Sequence, residues 1–130
     1  MAENKKYFYM RLKEGFYDSA EMIAIESQPD GYKMSNLLMK MYCRSLARGG
    51  KLAVSDRIPY SPAMLAAVTR IDVETVEKAL DLFQELGLIE VLDSGMIFML
   101  DIQNYIGSSG SEADRKRDYR RRILAEKEET

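Results

Sequence analysis

Between residues 33 and 48 the apolar positions Met34, Leu37, Leu38, Met41, Tyr42 and Leu46 recur every three or four residues. That spacing predicts an amphipathic helix, with Gly49-Gly50 as its left-handed exit. Lys51 to Val54 follow as a short strand closed by the turn residues Ser55, Asp56 and Arg57. Ser61-Pro62 then reads as an N-cap followed by proline at the first helical position, and Met64, Leu65 and Val68 supply the apolar side of a helix about two turns long. After the short connection Thr69 to Asp72, with Asp72 as cap, a second helix has Val73, Val76, Ala79, Leu80 and Phe83 as its inner face and stops near Leu86-Gly87. Two β-prone runs, 88–92 and 96–100, flank Asp93-Ser94-Gly95, a three-residue loop with glycine where a positive φ is needed, so they predict a β-hairpin. Helix, short turn, helix and hairpin in that order is the winged helix-turn-helix.

Toward the N-terminus, Phe8, Met10 and Leu12 alternate with Tyr7, Tyr9, Arg11 and Lys13, the period of a half-buried strand. Asp18 with Glu21 resembles a capping box, opening a short helix that carries Met22 and Ile25 and is stopped by Pro29-Asp30-Gly31. From Gly107 the chain turns into Gly/Ser linker and then charged residues. The expected fold is therefore α+β, mainly α: a winged helix over 1–106 with an added N-terminal strand, and a basic tail over 107–130, helical or disordered.

Composition changes the picture in three ways. At 130 residues and 46% hydrophobic the chain can build one core. Its 19 basic and 21 acidic residues leave a net charge of −2, so attraction to nucleic acid has to be local rather than spread over the surface. Residues 115–122 concentrate six basic side chains and one Asp. Histidine is absent and Cys43 is the sole cysteine, which removes structural zinc sites, internal disulfides and histidine-based catalytic sets. Cys43 lies in the apolar helical pattern and is expected to pack as a small buried residue in a reducing cytoplasm. Gly50-Lys51 has neither the upstream glycine nor the following hydroxyl of a phosphate loop. No signal peptide or membrane span is evident. These features point away from an enzyme and imply no cofactor or metal.

Nucleic-acid contacts have two candidate locations. The second helix of the helix-turn-helix would offer Thr75 and Lys78, with Arg70 just before it, yet its other outward residues, Glu74, Glu77, Asp81 and Glu85, repel phosphate, which equally suits a protein-facing helix. Arg115, Lys116, Arg117, Arg120, Arg121 and Arg122 would spread over a helix as a basic surface for sequence-neutral contacts, or form a solvated tail. Arg44, Arg48, Lys51 and Arg57 form a looser group read first as solvated surface, although Arg57 is kept as a contact. The hairpin strands carry no Lys or Arg, and their two apolar runs exceed what one buried face requires, so a second subunit is expected to cover the other.

The segments MAENKKYFYMRLKEGFYDSAEM, SDRIPYSPAMLAAVT, VEKALDLFQELGLIEVLDSGMIFMLDIQNYIG and SEADRKRDYRRR resemble the N-terminal region of phage replisome organisers. The most specific parts are Asp56-Arg57-Ile58-Pro59-Tyr60 and 100–107. The resemblance implies an initiator of phage replication that binds the origin in the host bacterial cytoplasm and helps bring the host helicase and its loader to it. It also implies kinship to DnaD-type primosome proteins, self-assembly as a homodimer or larger homo-oligomer, and a longer parent chain. A protein-interaction module without DNA binding and a winged-helix transcriptional regulator are the competing readings.

Overall fold

A computed structural model describes residues 7–106 and 111–129. Among these residues five α-helices and a four-stranded antiparallel sheet follow in order: α1 (Ala20–Glu26), α2 (Gly31–Ser45), β1 (Lys51–Ser55), β2 (Ile58–Pro59), α3 (Pro62–Thr69), α4 (Val73–Glu85), β3 (Ile89–Val91), β4 (Ile97–Met99) and α5 (Glu112–Glu129). The winged helix-turn-helix is present. Ser61 Oγ accepts the Met64 N–H to cap α3, Asp72 Oδ2 accepts the Thr75 N–H to cap α4, and Gly95 takes φ 92° in the hairpin loop. The sheet order is β2-β1-β4-β3, so β1 pairs with the second strand of the wing. Among the described residues no helix is long and apolar enough to cross a membrane.

Three local expectations need correction. Residues 7–13 form no strand: the Arg11 N–H donates to Tyr105 O at 2.8 Å, and Phe8 and Leu12 stay about half exposed. Alternation alone makes no strand without a repeating ladder of paired backbone groups. The cap of α1 is Ser19, whose Oγ accepts the Met22 N–H, one position after the expected Asp18. Cys43 lies on the exposed side of α2, between buried Tyr42 and Ser45.

The basic C-terminal stretch lies in a helix docked on the sheet. Register places Lys51, Phe98 and Glu90 side by side across β1, β4 and β3. That row faces α5. Over Phe98 stands Tyr119, ring edge-on at 6.2 Å with its hydroxyl donating to Met99 O at 2.8 Å. Over Lys51 stands Glu126 at 2.7 Å, and over Glu90 stand Lys127 at 2.8 Å and Arg120 at 3.2 Å. A strand row reading cation, aromatic, anion thus meets a helix face of opposite charge. Tyr119 and Ile123 join the core, and the second apolar face of the hairpin is covered by this chain itself, which removes the physical reason for expecting another subunit there. Of the expected linker, residues 107–110 lie outside the described residues.

Residues 100–106 contain a polar anchor. Asp101 accepts hydrogen bonds from the Tyr42 hydroxyl of α2 at 2.6 Å and from the Tyr105 hydroxyl at 3.3 Å, while Phe16 packs edge-on against both rings. Burial raises the Asp101 carboxyl above its ordinary 3.8, with nearby Glu21 adding to the effect, and burial with the Asp101 charge pushes Tyr105 up to about 12. A carboxyl raised in the folded state weakens the fold when ionised, and that cost is released as pH falls through the folded pKa toward 3.8. Wild type is therefore expected to gain stability relative to Asp101→Asn as pH is lowered over that window. Urea unfolding of both proteins across a pH series checks it, and parallel curves would contradict it.

Candidate nucleic-acid interface

On the helix-turn-helix, α3 ends at Arg70, a C-cap in the left-handed region (φ 62°) whose guanidinium turns back to Val68 O at 3.3 Å. Arg44 of α2 reaches the same carbonyl at 3.4 Å, and the Lys40 ammonium donates to Thr69 O at 2.6 Å. Three cations thus gather at the C-terminal end of α3, where the helix dipole concentrates negative charge. Across the turn, the Thr75 hydroxyl and N–H both donate to Asp72, holding that carboxyl below its usual range. Thr75 is 4% exposed, so it is not presented to a groove, contrary to the expectation from sequence. Val73 is 43% exposed, because Thr75 lies one turn before Ala79 and two before Phe83 and so shares their inner face. Lys78 does project outward but pairs with Glu74 at 3.4 Å, and Glu77, Asp81 and Glu85 share the exposed surface.

The stretch 115–122 does not build one broad basic face. Lys116 pairs with Glu112 at 2.9 Å, Arg117 with Asp114 at 2.7 Å and Arg121 with Asp118 at 3.4 Å, all along the exposed side of α5. Arg120 is held by Glu90, and Arg122 lies 6.0 Å from the Phe98 ring centroid. Arg115 is half-buried, one turn before Tyr119. Over its full length α5 carries seven basic and six acidic residues. Exposed pairs three or four apart are worth only a few tenths of a kcal/mol each, so phosphate can compete for the outward cations.

Folding instead joins two basic groups that are distant in sequence. Lys40, Arg44 and Arg48 follow one another at four-residue spacing along α2 and the 3-10 turn Leu46–Arg48 after it. Arg48 pairs with Asp56 at 2.7 Å in the β1–β2 turn, where Arg57 is exposed. Beyond Arg48 stands Gly49, so close to α5 that a methyl group on it would lie 3.1 Å from the Arg122 guanidinium. The stripe therefore runs from Lys40 to Arg122, with Arg70 and Arg57 on its flanks. Lys40 escaped the reading of the sequence although the spacing of four was visible. The meeting with Arg70 and Arg122 had no local signal.

A family model described as N-terminal phage replisome organiser matches residues 9–127. The chain belongs to that family. No curated protein and no solved structure matches it. The replisome-organiser match reaches past the winged helix to Lys127, so the docked helix α5 falls within the family unit. The 56–60 motif of the replisome organiser spans the β1–β2 turn and strand β2 beside the stripe, and its 100–107 motif includes the Asp101 anchor. Membership in this family places the chain among phage DNA-replication proteins.

Proposed function

We propose that this chain is the DNA-binding and assembly domain of a phage replication initiator, acting in the host bacterial cytoplasm, that grips origin DNA by its phosphates along the Lys40–Arg122 stripe. The acidic α4 and the wing are left to protein contacts, through which the full-length protein helps recruit the host helicase and its loader. The observation that carries the reading is the junction at Gly49, where Arg122 of α5 extends the α2 cations into one track. Contacts of this kind position a protein without reading bases, so sequence preference would come from DNA shape or from the rest of the protein.

Gel-shift titrations of the intact chain across a salt series test it. The triple variant Arg44→Gln, Arg48→Gln, Arg57→Gln is expected to lower the slope of log affinity against log salt by about 2–3, close to one per lost phosphate contact, for every DNA sequence alike. Point variants are needed because deleting 112–129 would also remove Tyr119 and Ile123 from the core. If Lys78→Gln instead causes the larger and sequence-selective loss, α4 enters the groove and the stripe assignment fails. A protein-interaction module without DNA binding is the second reading, favoured by the four exposed carboxylates of α4. It predicts no salt-dependent shift at all.

A further inference from the structure

Between α4 and the wing, outside the Lys40–Arg122 stripe, lies a cleft of about 500 Å³. Its apolar lining comes from Pro59 beside the hairpin loop, Pro62 at the start of α3, Leu80 of α4 and Val91 of β3. Two carboxylates, Glu77 and Asp81, stand along its α4 side one helical turn apart, and no Lys or Arg is among the residues that line it. Nucleic acid is a poor occupant, since phosphates would face both carboxylates at close range.

We propose that this cleft receives a basic amphipathic helix of a partner protein. One apolar side chain of that helix seats against Leu80 and Val91, and Lys or Arg residues beside it pair with Glu77 and Asp81. A helix laid into a groove presents such anchors at three- and four-residue spacing, matching an apolar slot edged by charges one turn apart. The inference gives a site to the assembly half of the reading above and rests on that half only. Binding here is independent of the phosphate-contacting stripe, so either can fail without the other.

The test titrates the intact ¹⁵N-labelled chain with a 14-residue helical peptide of Leu, Lys and Ala carrying one Leu stripe flanked by Lys. Two control peptides replace Leu by Ser and Lys by Glu. Resonances of Leu80, Val91 and Gly95 are expected to shift together. The double variant Glu77→Gln, Asp81→Asn, whose altered side chains are exposed, is expected to bind about fivefold to tenfold more weakly with its Tm unchanged. Equal binding of the Leu-to-Ser peptide, shifts confined to other surfaces, or no binding at millimolar peptide would each overturn the proposal. So would sedimentation showing that the chain dimerises and that the same double variant abolishes it, because the occupant would then be a second copy.

Discussion

Tyr119→Ala is expected to destabilise the protein by about 3–5 kcal/mol, the range for removing a large aromatic side chain from a core. Tyr119 is 6% exposed, packs against Phe98 and donates to Met99 O, so the substitution loses burial, a ring contact and a hydrogen bond together. It also loosens the one aromatic anchor that seats α5, since the other core residue of that helix is Ile123. Urea unfolding followed by circular dichroism measures the loss. Tyr119→Phe keeps the ring and is expected to cost only about 1 kcal/mol, the net value of a typical hydrogen bond. Unchanged stability of the alanine variant would mean that α5 is a detached tail, and the Gly49 junction on which the proposed DNA-binding face depends would go with it. The same variant is expected to associate at high concentration, because Phe98 would lose its cover.

The parts of the fold that were legible in sequence are those whose determinants are local. Ser61-Pro62, Asp72 and Asp93-Ser94-Gly95 each satisfy or redirect backbone groups within a few residues, so the helix-turn-helix and hairpin could be read from spacing alone. The docking of α5 could not. Its apolar content toward the core is two residues one turn apart, and its remaining recognition comes from charges at 51, 90, 120, 126 and 127 that meet only once three strands are in register. Reading 115–122 as a basic surface or a solvated tail left that contact out for the same reason, because Arg120 pairs with Glu90 and Arg122 lies beside Phe98 only in the folded chain. At Thr75 the error was of phase: spacing of four puts Thr75 on the inner face with Ala79 and Phe83 and leaves Val73 at the edge. The candidate interface was half visible, since Arg44, Arg48 and Arg57 were noted as a group, but what joins them to Arg122 is a tertiary contact at a glycine.

That neighbourhood supports the second large effect. Gly50→Ala is expected to cost about 3–5 kcal/mol, combining a backbone conformation disfavoured for L-residues with overpacking. Gly50 has φ 112°, and a methyl there would fall 2.5 Å from both Ile102 Cγ2 and the Tyr119 hydroxyl oxygen. Neither neighbour can yield cheaply: Ile102 is fully buried, and the Tyr119 hydroxyl is fixed on Met99 O. Gly49→Ala is the control. Its φ of 65° lies in the left-handed region, and its methyl would meet only the end of the flexible Arg122 side chain, so about 1 kcal/mol is expected. The decisive comparison is Gly50→Ala in the Tyr119→Ala background. With the ring gone, the methyl meets Ile102 alone, so the double variant should be more stable than the sum of the single losses by about 1 kcal/mol or more, as for residues in direct contact. Strict additivity in urea unfolding would mean that Tyr119 does not sit over Gly50, and that α5 and the β1 entrance are independent.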